Sequence, residues 1–216
     1  MVGLASTVNL IRFAQVSPGQ LGHNPREKMP RSDETKAMLA YASGDMRAFD
    51  TLFELFAPRL LLFFRRAFPD PTVAEDLLQL TFERIHRARG SFRDGAPVRP
   101  WIYTIAARVR DDELRRRYRV PKHAADDELD RIGSDGVSPH AELDCEERAR
   151  VVRGAIEQLP ASQRTVIHLH RFEGLTFSEI SEVLGVKEGA VRVRAFRAYE
   201  TLRERLRPLV QGGEQP

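Results

Sequence analysis

The sequence predicts an all-α chain: two small helical domains joined by a flexible acidic linker, with a disordered N-terminal tail. Three observations lead there. Apolar residues recur at helical spacing through most of the chain, and strand-like alternation occurs nowhere along the 216 residues. Between the two periodic stretches the composition changes to Asp, Glu, Gly, Ser and Pro. Hydrophobic residues make up 42% of the chain, enough for packed cores in both domains. The predicted boundaries are a tail over 1–34, a first domain over 35–121, a linker over 122–142, a second domain over 143–209 and a short tail over 210–216.

The elements follow in order. Residues 1–16 are mildly apolar, lack a basic lead and are broken by Asn9, Arg12 and Gln15, so they fail as a secretory signal. Pro18, Gly19, Gly22, Pro25 and Pro30 make the following stretch a loose tail. Met29 is a candidate alternative start; N-terminal sequencing of the native protein that returns Met1 would exclude it. Residues 39–68 are helical in pattern, with Phe49, Leu52, Phe53 and Phe56 on one buried face. A break at Ser43-Gly44-Asp45 makes two helices, with Asp45 as the second N-cap. The run Leu60-Leu61-Leu62-Phe63-Phe64 predicts burial on several sides. Asp70 or Thr72 caps a helix over 73–89, whose inner face is Ala74, Leu77, Leu78, Phe82 and Ile85. Its outer face carries Glu75, Asp76, Gln79 and Glu83. After a loop holding Gly90, Gly95, Pro97 and Pro100, Trp101 opens a long helix over 101–119 that ends in a run of arginines.

In the second domain Ala149, Val152, Ile156 and Leu159 mark one helix, Pro160 stops it, and 163–172 form another. The segment 175–206 then reads as a short helix, a turn at Gly185 and an arginine-rich helix. Ile180, Val183 and Leu184 form the buried stripe, and Thr176 or Ser178 caps the N-terminus. Gly185 suits a left-handed turn, Ser181 is small, and Val186 and Val191 fit as an apolar plug. This is a helix-turn-helix pattern, whose second helix enters a DNA major groove.

Net charge is only +3, but its distribution is uneven. Residues 108–122 and 187–207 are basic, and 126–147 are acidic, which suggests two nucleic-acid contacts with something different between them. The single cysteine, Cys145, excludes an intramolecular disulfide and suits a reducing cytosol. His168 and His170 are two apart and read as ordinary helix residues pointing to different faces, so no metal site is expected. No apolar run approaches the roughly 20 residues that span a bilayer. The expectation is a cytoplasmic protein that uses no cofactor, turns over no small molecule and is not an enzyme.

Four motifs in register carry a resemblance. A-E-D-L-L-Q-L-T-F at 74–82, F-R-D-G-A-P-V-R-P-W-I-Y-T-I-A at 92–106, L-P-A-S-Q-R-T-V at 159–166 and G-L-T-F-S-E-I-S-E-V-L-G-V-K-E-G-A-V-R-V-R at 174–194 resemble the extracytoplasmic-function (ECF, group IV) branch of the sigma-70 superfamily of bacterial RNA polymerase sigma factors. The likeness covers about 36–209. The chain departs from the family where Ala107 and Arg108 replace a common Arg-Asn pair, and the N-terminal tail has no counterpart.

The resemblance implies a protein that binds core RNA polymerase and directs transcription initiation at −10 and −35 promoter elements. The first domain would be sigma region 2 and the second sigma region 4. Core docking, on the clamp helices of β′ with the β flap as a further contact, would fall to Glu75, Asp76, Gln79, Leu80 and Glu83. The −10 element would fall to Trp101 and Tyr103, on which unpaired bases stack, and to Arg108, Arg110, Arg115, Arg116 and Arg119, which hold phosphates. The loop 92–100 resembles the family's base-capturing loop. Trp101 and Tyr103 are equally readable as core aromatics. The −35 element would fall to Lys187, Glu188, Arg192, Arg194 and Arg197, of which arginine forks guanine and glutamate accepts from cytosine N4. An anti-sigma factor is the expected regulator. The acidic linker suits either a basic channel near the RNA path or a plain tether. The rival reading is a stand-alone helix-turn-helix regulator that binds DNA without polymerase; the first domain shows none of the strand pattern such regulators carry for a ligand or phosphoacceptor.

Overall fold

A computed structural model describes residues 33–118 and 145–211, and every described element is helical. The acidic linker, most of the N-terminal tail and Arg119 lie outside the described residues. The chain divides into two compact units, one holding residues 33–118 and 178–186, the other 145–177 and 187–211.

In the first unit, α1 (Asp33–Ala42), α2 (Ala48–Arg65), α3 (Pro71–Ala88) and α4 (Val98–Tyr118) pack around one aromatic core, with a short 3-10 turn at Arg89–Ser91. Met38, Tyr41, Phe56, Leu60, Phe64 and Tyr103 are completely buried. Helix α1 begins at Asp33, and Glu34 is a buried residue in its first turn. The break between α1 and α2 falls at Gly44, whose φ of 107° is open to glycine at little cost. Asp45 is not the N-cap of α2. Its carboxylate accepts the Arg47 N–H at 3.0 Å inside the turn, and Arg47 takes the cap position without a side-chain bond.

Two apolar residues depart from their predicted burial. Phe53 is 43% and Leu62 44% exposed. The buried stripe of α2 follows Leu52, Phe56, Leu60 and Phe63, so neighbours one residue away are turned outward by about 100°. Asp70 caps α3, accepting the Thr72 N–H at 3.0 Å, with Pro71 in the first turn where no amide donor is needed. Helix α4 begins at Val98, not at Trp101, and takes Pro100 into its first turn for the same reason.

In the second unit, α5 (Cys145–Glu157), α6 (Ala161–Ile167) and α8 (Glu188–Gln211) pack together through Val152, Ile156, Val166, Leu202 and Leu206, all buried. The predicted helix over 163–172 is divided: α6 starts after Pro160 and passes at His168 into a π-helical turn, His168–Phe172. Both histidines are buried in this turn, each against partners of its own. His168 stacks on Phe172, and His170 Nδ1 lies 2.8 Å from the Leu175 carbonyl. The short helix α7 (Phe177–Leu184), whose residues 178–184 belong to the first unit, begins directly after Thr176. Ile180 and Val183 are buried along it, while Leu184 is half-buried.

Candidate polymerase and nucleic-acid interface

Helix α3 separates its residues cleanly. Ala74, Leu77, Phe82 and Ile85 are buried, while Glu75, Asp76, Gln79 and Glu83 are exposed and Leu80 is half-buried. Glu75 lies 3.7 Å from Arg65, and Glu83 pairs with Arg87 one turn on. The side chains of Asp76 and Gln79 point to solvent with no pairing among the described residues. An apolar patch adjoins this row. The Phe53 ring is tilted against Phe82 at 4.8 Å and stands 6.1 Å from Phe49, with Met46 52% exposed nearby in sequence. Phe82 is buried, and Phe53 supplies the exposed ring instead. A phenylalanine off the main stripe of α2 by one residue was the available signal.

The head of α4 sorts the −10 candidates. Trp101 is half-buried with its ring edge-on to Phe92 at 5.4 Å. Tyr103 is fully buried, edge-on to Phe63 at 5.6 Å. Burial removes Tyr103 from any surface on which a base could stack, so the core-aromatic alternative holds for it. Arg110 is likewise buried: its guanidinium lies over the Phe63 ring at 5.3 Å and its Nε donates to Asp111 at 2.9 Å. It is a packing cation, not an accessible phosphate contact. Arg108 is exposed beside the buried Ala107. The common Arg-Asn positions therefore comprise one core position, where alanine fits, and one surface position, where this chain carries a cation.

The end of α4 is more internally paired than its arginine content suggests. Asp112 accepts from Arg84 at 3.0 Å and Arg115 at 2.6 Å. Glu113 accepts from Arg116 at 2.7 and 2.9 Å and from Arg117 at 2.5 Å. The hydrogen bond from Arg116 is the largest cause, with burial opposing and Arg117 adding, that holds the Glu113 carboxyl down at about 2. Burial opposes the same trend at Asp112, but Arg84 and Arg115 prevail and its carboxyl also sits below the usual range. Asp112 and Glu113 thus fix cations at i,i+3 and i,i+4 spacing, a signal present in the sequence.

At the helix-turn-helix, Gly185 takes φ of 66° and the Val186 N–H closes onto the Ser181 carbonyl at 3.1 Å. Lys187 immediately precedes α8, and its carbonyl accepts from the Ala190 N–H at 2.9 Å. Val191 is buried, as expected of the plug, and Val186 is half-buried. Glu188 and Arg192 hold each other, Nε to Oε1 at 3.0 Å, and the Arg192 guanidinium lies over the Phe177 ring at 5.3 Å. Arg194 is half-buried and Arg197 exposed. Further along, Arg203 pairs with Glu200 at 2.5 Å and Arg205 with Gln158 at 2.9 Å. Two exposed apolar residues escaped the sequence reading: Val193, 49% exposed, and Phe196, 45% exposed. They share the outward side of α8 with Arg192 and Arg197, where apolar groups suit a thymine methyl.

Two family models match the chain, "Sigma-70 region 2" over residues 52–120 and "Sigma-70, region 4" over 149–202. The chain is 36% identical over 172 residues to the RNA polymerase sigma factor CarQ of Myxococcus xanthus, covering 78% of this chain and 95% of that protein. It is 30% identical over 175 residues to the ECF RNA polymerase sigma-E factor of Escherichia coli, covering 78% of this chain and 91% of that protein. The chain belongs to the ECF family of RNA polymerase sigma factors. Among solved structures, a sigma factor RpoE in complex with the anti-sigma factor NepR from Bartonella quintana matches with a TM-score of 0.54 at 25% identity. That match covers 75% of this chain and 98% of the other. The structure of CnrH in complex with the cytosolic domain of CnrY has the same fold, with a TM-score of 0.54 at 24% identity over 82% of this chain and 99% of that one. As an ECF sigma factor the protein is a non-enzymatic subunit of transcription initiation. Among the described residues no helix is long and apolar enough to cross a membrane.

Proposed function

We propose that this sigma factor joins core RNA polymerase through the outer face of α3 and reads a promoter at two places. Glu75, Asp76, Gln79 and Glu83 form a polar row that suits basic residues of the β′ clamp helices, with Phe53 and Leu80 supplying the apolar centre. Trp101 and the loop of residues 92–97 capture unpaired −10 bases, and Arg108, Arg115 and Arg116 hold phosphates. Lys187, Glu188, Arg192, Arg194 and Arg197 read or flank the −35 element, with Val193 and Phe196 beside them. These tasks divide between a region 2 domain and a region 4 domain, the acidic linker serving as the tether, and the β flap is a further polymerase contact. An anti-sigma factor, like the one held by the Bartonella relative, competes for one of these surfaces.

The observation that carries the reading is the α3 face itself. Four exposed polar residues beside an exposed Phe53, on helices outside the helix-turn-helix motif, have no use in a stand-alone DNA-binding regulator. The test is the affinity of purified chain for core polymerase, with Asp76→Lys as the perturbation. Asp76 is exposed, so stability should change by less than about 0.5 kcal/mol. Affinity should fall at least about tenfold, the cost of opposing like charges across an interface. Unchanged affinity overturns the docking face. Sequence-specific binding of DNA by a free dimer, with no effect on core polymerase, overturns the whole reading.

A further inference from the structure

Glu34 lies before the segment matched by the region 2 model, which begins at residue 52. It is nevertheless a buried carboxylate engaged by two arginines from two other helices. It is 7% exposed, and it accepts from Arg59 NH1 at 3.0 Å, Arg99 Nε at 2.8 Å and Arg99 NH2 at 2.7 Å. Burial raises the cost of its charge, yet the two guanidiniums outweigh that cost and hold the carboxyl below its usual range. Glu34 is therefore a charged anchor on α1, held by two guanidiniums.

Arg99 occupies the first turn of α4, two residues before Trp101. That turn is loosely closed from within: the Trp101 N–H reaches the Pro97 carbonyl only at 3.4 Å, and Pro100 has no amide to donate. Its placement depends on contacts from outside. A fork in which both carboxylate oxygens receive Arg99 fixes distance and plane together, which a single hydrogen bond does not. Trp101 is then held edge-on to Phe92, at the near end of the exposed loop of residues 93–95.

We infer that Glu34 is a positioning residue for −10 recognition: by forking Arg99 it sets the head of α4, and with it Trp101 and the strand-capturing loop. This rests on the −10 reading of that loop. A misplacement of the loop costs selectivity, because base contacts are made only at defined geometry. A residue that merely kept the domain folded would reduce the active fraction equally on every promoter.

The experiment reconstitutes the full chain with core polymerase and uses a duplex promoter selected in vitro from random sequence, plus copies altered only in the −10 or only in the −35 element. The readout is the ratio of initiation rates on the selected and altered promoters. Glu34→Gln should lower the −10 ratio by about tenfold and leave the −35 ratio unchanged, an effect of the size coupled neighbours show. Arg99→Gln should do the same, and the double variant no more. Trp101→Ala should also lower the −10 ratio. If Trp101→Ala lowers it and Glu34→Gln does not, or if Glu34→Gln lowers both ratios alike, the positioning role is overturned. If Trp101→Ala leaves the −10 ratio intact, the reading of the loop fails, and this inference with it.

Discussion

Replacing Glu113 by Gln should make the chain a tighter and more salt-sensitive binder of single-stranded DNA. Glu113 is 8% exposed and holds Arg116 and Arg117 by three short hydrogen bonds. Its carboxyl falls from 4.5 to about 2 in the folded chain. At about 1.4 kcal/mol per unit that displacement corresponds to about 3 kcal/mol of interaction. Arg116 is 75% exposed, so water screens the pair and the net stability carried is nearer about 1 kcal/mol. Glutamine keeps the shape and can accept one guanidinium, but it no longer neutralises either. Each cation that then reaches a phosphate releases counterions and adds about 0.7 to the slope of log affinity against log salt on a single strand. The variant should therefore steepen that slope by about 0.7 to 1.4 while losing about 1 kcal/mol of stability. Fluorescence anisotropy of a labelled oligonucleotide across a salt series reads the first, and urea unfolding the second. An unchanged slope, or weaker binding at low salt, would refute the view that the Asp111-Asp112-Glu113 run restrains the arginines of α4.

Other consequences follow from the same geometry. The carboxyls of Glu34, Asp112 and Glu113 all sit lower in the folded chain than when unfolded. Their contribution is present above the unfolded carboxyl range and is lost as pH falls through the lowered folded values, about 2 for Glu113, so urea midpoints should drop as pH falls below about 4.5, less steeply in Glu113→Gln. Gly185→Ala meets nothing within 4 Å but must adopt φ of 66°, so it should cost about 1–2 kcal/mol by urea unfolding; a neutral result would mean the turn is not left-handed. Tyr103→Ala should cost about 3–5 kcal/mol as a core truncation. Arg108→Ala, at the surface, should change stability by less than about 0.5 kcal/mol, and denaturation curves separate the two.

Much of the fold was legible because burial repeats at 3.6 residues. The inner face of α3, its Asp70 cap and the turn at Gly185 follow from side-chain chemistry within a few positions. What escaped the sequence depends on longer range or on broken period. The π-helical turn at His168–Phe172 breaks the regular period, and no residue type there announces it. Proline reads as a stop, yet Pro100 sits in a first turn and Pro58 on the exposed side of α2. Trp101 and Tyr103 are neighbours of similar chemistry, and only the packing of Phe63 and Phe92 decides which is buried. The Glu34–Arg99 fork joins residues 65 apart, a pairing no local pattern announces. At the candidate site, residue types were readable, but their availability was not: Arg110, Arg192 and Arg116 are each engaged by an acid of the chain itself.

The central claim is most directly tested by run-off transcription with purified chain and core polymerase on a promoter selected in vitro. The account predicts that core polymerase initiates there only when the chain is added, and that altering either the −10 or the −35 element reduces initiation. Initiation that ignores both elements, or a chain that binds the selected DNA without ever recruiting polymerase, would contradict it.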